Sequence, residues 1–436
     1  MPASMDQRPR RAALPASASR APQRRGGPTQ RASGPQPTLP PLSRERNRVA
    51  AVGMASPVAA RLTALRRPGS VDYVLVLAVV MLLLLGLVMV YSASQFATPG
   101  DPGYWFRHQI VWAMLGGIAL LVASRVEYRL WRRVALPGMV LALVLLVAVL
   151  VAGHTIYGAQ RWLHVGLFSF QPSELTKLAL ALYVADWLAR KGDAVRTLLN
   201  GLLPFAALTG VVLALILLQN DLGTSIVVAV LAIAMFYAAG ANLLQLLPTL
   251  ALGGLAAFVL ATGSSFRRAR LDAFLHPLPA GCADAASYQI CQGLISLGSG
   301  GLFGRGLGDS VQKAGYLPNP FTDSIFAITG EELGLVGCLF ILGLFSLLAF
   351  RGLRVSRRAP DAFGALLACG LTCWLLAQAA INIGSVVDVL PFTGVPLPFV
   401  SFGGSSLVTS LAAVGILLNI SRHADRSPPA VLPSAL

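Results

Sequence analysis

The chain has 436 residues, 55% of them hydrophobic and only 12% charged, with a mean hydropathy of +0.69. That balance excludes an ordinary soluble domain and places the chain among integral membrane proteins. Its net charge of +16 belongs mostly to the first 70 residues, which carry 13 Lys/Arg against Asp6 and Glu45; a basic arm beside a membrane span more often meets anionic lipid, or holds its end of the chain in the cytoplasm, than it binds nucleic acid.

Residues 1–70 are rich in Arg, Pro, Ala, Ser and Gly and have no apolar stretch of the kind found in a cleaved signal peptide. They cannot bury a core and are expected to form a disordered basic cytoplasmic tail. From residue 71 onwards, apolar runs alternate with polar breaks, and about 20 apolar residues cross a bilayer as a helix. Spans are predicted near 73–92, 109–124, 134–152, 174–189, 201–219, 222–239, 243–262, 326–349, 362–383 and 398–420. The expected fold is all-α: a polytopic membrane protein of about ten transmembrane helices over 71–421, with a large extracytoplasmic loop between spans 7 and 8. A short cytoplasmic tail, 422–436, follows. Flanking charge sets the orientation, because Lys and Arg gather on the cytoplasmic side. Arg125, Arg129, Arg132, Arg133, Arg190, Lys191, Arg196, Arg351, Arg354, Arg357 and Arg358 all fall in even-numbered connections. Those connections and both termini are therefore expected inside, and the polar loops 153–173 and 263–325 outside. No internal repeat of the inverted-repeat transporter kind is visible.

Ionisable groups at membrane depth are costly and so are functional candidates. In chain order, the first cluster is Gly158-Ala159-Gln160-Arg161-Trp162-Leu163 followed by Gln171-Pro172-Ser173-Glu174-Leu175-Thr176-Lys177. Glu174 and Lys177 share a helix face, which fits an internal ion pair beside a helix start. Alternatively, Arg161 and Lys177 offer cations to a phosphate-bearing ligand while Trp162 packs on lipid or sugar. The second is Gln219-Asn220-Asp221-Leu222-Gly223-Thr224, where Asp221 suits a helix N-cap or a site. The third runs from Gly304-Arg305-Gly306-Leu307-Gly308-Asp309-Ser310-Val311-Gln312-Lys313 through Tyr316-Leu317-Pro318 to Thr322-Asp323. Asp323 stands where a polar loop enters the eighth span; partial desolvation there tends to raise a carboxyl pKa and suits a general base, while an N-cap is the plainer reading. The fourth, Glu331-Glu332, lies about two turns into that span and needs cationic or hydrogen-bonding partners, with Lys177 or Arg161 as candidates. The fifth combines Asn382-Ile383-Gly384, Leu390 to Pro398 and Ser401-Phe402-Gly403-Gly404-Ser405-Ser406. So much Pro and Gly at membrane depth implies irregular or re-entrant backbone lining a cavity or buried in protein.

Five cysteines are too few for a disulfide scaffold; Cys338, Cys369 and Cys373 lie in apolar runs, whereas Cys282 and Cys291 share the outer loop and can pair if it faces an oxidising compartment. No His/Cys/Asp/Glu set has metal-ligand spacing, and no Ser/His/Asp arrangement is readable, which disfavours a triad hydrolase. No cofactor is expected, with assistance by a divalent cation left open.

Taken in order, Gly-Ala-Gln-Arg-Trp, Gln-Pro-Ser-Glu-Leu-Thr-Lys, Asp-Leu-Gly-Thr, Gly-Leu-Gly-Asp-Ser-Val-Gln-Lys, Tyr-Leu-Pro, Thr-Asp, Gly-Glu-Glu-Leu-Gly and Ser-Phe-Gly-Gly-Ser-Ser resemble the shape, elongation, division and sporulation (SEDS) family over roughly residues 72–420. Ser-Val-Gln-Lys followed by Tyr-Leu-Pro is more similar to its division (FtsW) branch than to its elongation (RodA) branch. The resemblance implies a cell-wall enzyme of the inner membrane: a peptidoglycan glycosyltransferase polymerising lipid II at the septum. It implies that Asp323 is the essential acid of the Thr-Asp motif and acts as base, with undecaprenyl pyrophosphate leaving and inversion at the sugar. Arg161, Trp162, Glu174, Lys177, Asp221, Lys313, Glu332 and Ser405 are the expected substrate-binding residues. The implied partner is a class B penicillin-binding transpeptidase, FtsI, with other division proteins. Three departures stand out: Asn319, Phe321 and Ser324 replace the Glu, His and Phe of the family's Pro-Glu-x-His-Thr-Asp-Phe, Asn220 replaces a usual Pro, and Phe402 a common Tyr. The competing expectations are a lipid II flippase, an elongation polymerase, or a scaffold that only recruits division proteins.

Overall fold

The computed structural model describes residues 71–156, 159–165, 168–241, 247, 253–254, 274, 282 and 285–424. In chain order the main elements are α1 (Tyr73–Ala93), α2 (Tyr104–Arg125), α3 (Trp131–Ala152), β1 (His154–Ile156), β2 (Ala159–Val165), β3 (Phe168–Phe170), α4 (Pro172–Lys191), α5 (Leu203–Leu218), α6 (Leu222–Ala238), α7 (Ala285–Ser299), α8 (Ile325–Arg358), α9 (Ala362–Val386) and α10 (Gly404–Ala424). Nine of the predicted spans coincide with α1–α6 and α8–α10, and the span at 243–262 lies outside the described residues, as do the tail 1–70 and residues 425–436.

Among the described residues, seven helical segments are long and apolar enough to cross a membrane: α1, α2, α3 with its preceding turn, Leu198–Leu218, α8, α9 and α10. The shorter α6 is also apolar. Although α4 has 20 residues, Glu174, Lys177 and Asp186 interrupt its apolar character.

The bundle is layered by burial. The spans of α9 and α10 are 78% and 89% buried, against 17% for α2, so α9 and α10 form the centre and α2 faces outward. A helix hydrophobic all round is a helix surrounded by others. Along α10 the packing on α2 is close enough that a Cβ on Gly415 would lie 2.4 Å from the Leu120 carbonyl oxygen, the small-residue contact that lets helices approach in lipid.

Basic residues gather at one end of the bundle, and four of them are paired with carboxylates there. Arg351 pairs with Asp72 (2.7 Å), Arg132 (2.8 Å) and Arg190 with Asp186, and Arg129 (3.1 Å) with Asp361. Asp361 also caps α9 through the Gly364 amide (2.8 Å) and accepts from the Tyr128 hydroxyl (2.5 Å).

Three features add to the expected set of spans and loops. The connection 153–173 contains a three-stranded antiparallel sheet, β1-β2-β3, with His154 opposite Trp162 and Leu163 opposite Phe170. The connection between spans 7 and 8 contains α7, and Cys291 within it forms a disulfide with Cys282 (Cα–Cα 5.6 Å). Finally, α8 is broken at Gly334, which adopts φ 68°, ψ −164°.

That break is stabilised by backbone. The carbonyls of Glu331 and Glu332 accept the amides of Arg305 (2.9 Å) and Gly306 (3.1 Å), and the amides of Leu335 and Val336 donate to Gly301 (2.9 Å) and Leu302 (3.2 Å). Loop 300–306 thus supplies partners for groups a continuous helix would have paired internally, as backbone at membrane depth requires.

Candidate functional site

The polar residues singled out by sequence converge on the opposite end of the bundle, where α1, α3, α5 and α9 finish and α4, α6, α8 and α10 begin. Asp323 is half-buried in the turn that leads into α8. It is not the helix cap: Ser324 occupies the N-cap position, and the Asp323 carboxylate accepts from the Thr322 hydroxyl (3.0 Å). Asn319 takes φ 50°, a left-handed conformation that Asn tolerates, and its carbonyl collects the amides of Thr322 (3.2 Å) and Ser324 (3.4 Å). From α9, Asn382 donates to the carbonyls of both Asp323 and Val395 (2.8 Å each).

Residues 388–403 are the irregular segment that the Pro and Gly content implies, and it is pinned throughout. Ser401 caps the Leu397 amide (2.8 Å), Gln109 of α2 reaches the Ser401 carbonyl (3.2 Å), and the Phe402 amide donates to Phe321 (2.9 Å). Its stretch 393–396 lies against Asp323, α6 and α9. A Cβ on Gly394 would lie 3.6 Å from Asp323 Oδ2, and one on Gly223 of α6 would lie 2.3 Å from Val395 Cγ2. Gln378 of α9 donates to the Pro396 carbonyl (3.0 Å).

Through Gln378 the segment joins a fully buried network. Lys177 Nζ donates to Glu174 Oε1 (2.9 Å) and Gln378 Oε1 (2.6 Å) and lies 5.1 Å from the centre of the Trp374 ring. Gln378 also donates to Ser406 (3.2 Å), while Glu174 Oε2 and Ser173 Oγ are buried without a protein partner. Ser405 is buried in the first turn of α10, its carbonyl accepting from Thr409 (2.9 Å).

Arg161 and Trp162 lie half-buried on β2. The Arg161 guanidinium donates to the Asn220 carbonyl and stands 3.7 Å from Asp221. Asp221 is the N-cap its sequence context allowed, holding the start of α6 through the Thr224 amide (3.1 Å), and it also accepts from Gln171 (3.1 Å) ahead of α4. The sheet, α4 and α6 are tied together by that one carboxylate.

Glu331 and Glu332 find partners other than Lys177 and Arg161. Glu332 pairs with Lys313 (2.9 Å) and accepts from Ser92 of α1 (2.6 and 2.7 Å). Glu331 accepts from Ser296 of α7 (3.0 Å), Ser310 (2.6 Å) and the Val311 amide (3.0 Å). Glu332 thus has a cation and Glu331 only hydrogen-bond donors, and both sets come largely from the loop 304–313 folded onto this half of α8. Gln378 and Ser92 were not singled out from sequence. A lone amide in the middle of an apolar run is a usable signal for Gln378; a single serine near a helix end is not.

Near this end, Asp388 follows α9 with φ 58°, and burial raises its carboxyl above the ordinary range.

Residues 73–426 match the family described as cell cycle protein, which unites FtsW, RodA and SpoVE. The chain belongs to the FtsW/RodA/SpoVE family. Among its members, the chain is 40% identical over 377 residues to a probable peptidoglycan glycosyltransferase FtsW of Trichlorobacter lovleyi, covering 84% of this chain and 98% of the relative. It is 41% identical over 362 residues to stage V sporulation protein E of Bacillus subtilis (81% and 98%). Solved FtsW/RodA/SpoVE-like structures agree. A chain of a peptidoglycan synthase complex that coordinates polymerization and crosslinking superposes with TM-score 0.68 at 29% identity, covering 82% of this chain and 99% of that one. The rod shape determining protein RodA of Thermus thermophilus gives 0.61 at 29% identity, with the same coverage.

Proposed function

We propose that this FtsW/RodA/SpoVE member is a division-type peptidoglycan glycosyltransferase that polymerises lipid II into glycan strands, with Asp323 as the general base. The observation that carries the reading is the placement of Asp323: a half-buried carboxylate between Thr322 and Gly394, beside a Pro- and Gly-rich stretch, 388–403, that is held in place by Asn382, Gln378 and Ser401. A fixed, partly desolvated carboxylate is what a base for a sugar hydroxyl requires.

In this scheme Asp323 takes the proton of the acceptor's 4-hydroxyl as that oxygen attacks the anomeric carbon of the donor. The bond to undecaprenyl pyrophosphate breaks, and the single displacement inverts the centre. Negative charge grows on the leaving pyrophosphate, and a partly exposed cation stabilises it most directly. Arg161 is 23% exposed, whereas Lys177 is fully buried in its pair, so Arg161 is the pyrophosphate contact and Trp162 beside it packs on sugar or lipid. Glu174, Lys177, Asp221 and Ser405 shape the site from behind.

The residues in place of the family's motif have structural partners of their own. Phe321, in the His position, packs against Trp105 (5.1 Å) and Phe402 (5.8 Å), and Ser324 accepts from Gln289 of α7 (3.0 Å). The Asp323 turn is therefore supported by aromatic packing and an amide here.

The end rich in Lys and Arg is cytoplasmic, with both termini, and the Asp323 end faces outward, where the sugars of lipid II are presented. The enzyme works at the septum with a class B penicillin-binding transpeptidase of the FtsI kind. The test uses the full chain purified with its cognate transpeptidase and labelled lipid II. Asp323→Asn and Asp323→Ala lose glycan chains while the protein stays folded. Wild-type polymer from Asp323→Asn overturns the assignment, and translocation without polymer from the wild type supports a flippase.

A further inference from the structure

We infer that Lys313 and Glu332 do not touch substrate but form a buried charge clamp that positions the Asp323 turn. The inference rests on the assignment of Asp323 as base and adds the device that holds it.

An ammonium has three hydrogens to donate. All three on Lys313 have partners: Glu332 Oε1 (2.9 Å), Ser92 Oγ (3.0 Å) and the Gly308 carbonyl (2.7 Å). Ser92 in turn gives its hydroxyl hydrogen to the Glu332 carboxylate. The side chains of the pair are 1% and 0% exposed. No donor is left over for a pyrophosphate, and the pair is electrically neutral as a unit. A cation used for leaving-group charge would need the opposite arrangement, a free donor facing the substrate.

The chain path shows what the clamp does. Glu332 lies on the short first half of α8, two residues before the break at Gly334, and Lys313 ends the loop already stapled to that half by the Arg305 and Gly306 amides and by Ser310 and Val311 on Glu331. Residues 314–324, Asp323 among them, are therefore a bridge whose two ends are fastened to each other through the 313–332 pair. Ser92 fixes the clamp to α1 as well. Removing one charge leaves the other buried and unpaired, which is far more costly than replacing both by neutral side chains of similar volume.

The test is a two-by-two set, Lys313→Met, Glu332→Gln and the double variant, each also made with Tyr316→Cys so that labelling by a membrane-impermeant maleimide reports the bridge directly. Tyr316 is 53% exposed and lies in the bridge. With labelled lipid II and the cognate transpeptidase, each single variant is expected to lose kcat by about ten-fold or more, the scale of an unpaired buried charge, with KM within about two-fold of wild type. Maleimide labelling at position 316 should change in both singles. In the double variant, kcat and labelling should return at least half-way to wild type. A double variant as inactive as Lys313→Met, with raised KM, would show that Lys313 contacts substrate and overturn the clamp. Unchanged labelling across the set would overturn it too. If Asp323→Asn polymerises like wild type, the base assignment fails while the labelling series still decides whether 313–332 holds the bridge.

Discussion

Gly334→Ala should cripple the protein, whereas the same change nine residues further along the helix, Gly343→Ala, should not. At 334 the backbone takes φ 68°, ψ −164°, and an added Cβ would lie 2.3 Å from the Gly304 nitrogen and 2.5 Å from the Leu302 oxygen, both backbone atoms that cannot rotate aside. Holding a non-glycine residue there costs about 1–3 kcal/mol in conformation alone. Pushing loop 300–306 away also strands the amides of Leu335 and Val336, at about 1–3 kcal/mol each. The total is on the order of 3–9 kcal/mol, enough to lower the melting temperature in detergent by at least about 5 °C, taking about 2 °C per kcal/mol for a large domain. At Gly343 no atom lies within 4 Å of the added carbon, so alanine should give about 0.5–1 kcal/mol of helix stability. The assay is thermal unfolding of both variants followed by size-exclusion profile, with glycan polymerisation in parallel. Equal melting temperatures for the two alanine variants would refute the argument that α8 must break at 334.

Gly223→Ala drives a Cβ to 2.3 Å from Val395 Cγ2 and 3.0 Å from the Thr393 oxygen, displacing the segment beside Asp323; lipid II polymerisation should fall several-fold while expression and folding change little. Lys177→Met leaves Glu174 buried without its cation and should cost about 3–5 kcal/mol, seen as loss of monodisperse protein in detergent. At the basic end, burial by itself would raise the Asp361 carboxyl, but hydrogen bonds from Tyr128, the Gly364 amide and Arg129 outweigh it and hold the carboxyl below its ordinary value. Its contribution to stability is therefore complete above the unfolded value of about 4 and disappears as pH falls through the lower folded value. Tyr128→Phe should remove about 1 kcal/mol at neutral pH and move the onset of acid unfolding upward.

What sequence made legible was governed by composition and by local spacing. Long apolar runs give the spans because bilayer thickness fixes their length, and Glu174 with Lys177 reads as an ion pair because three residues bring them onto one face. Pro and Gly between 390 and 404 correctly signalled irregular backbone. The short strands around Trp162 were not legible, since three to seven residues carry too little alternation to stand out from a polar loop. Nor was the break at Gly334: one glycine in an apolar run looks like any other, and the reason for it lies in a loop thirty residues earlier in sequence. Lys313 and Glu332 each drew attention as charges, but that they belong to each other depends on how loop 304–313 folds back on α8.

The joint in α8 has a mechanical consequence. Beyond Gly334 the helix continues for residues 335–358, about 36 Å at 1.5 Å per residue, so a tilt of about 5° would swing the tip of a continuous rod by about 3 Å. Membrane helices tilt by such amounts as bilayer thickness varies. With the rod interrupted, the short cap is not a straight extension of the shaft: loop 300–306 bonds the backbone on both sides of the joint and so sets the angle at which the cap, with the Asp323 turn at its head, leaves the shaft.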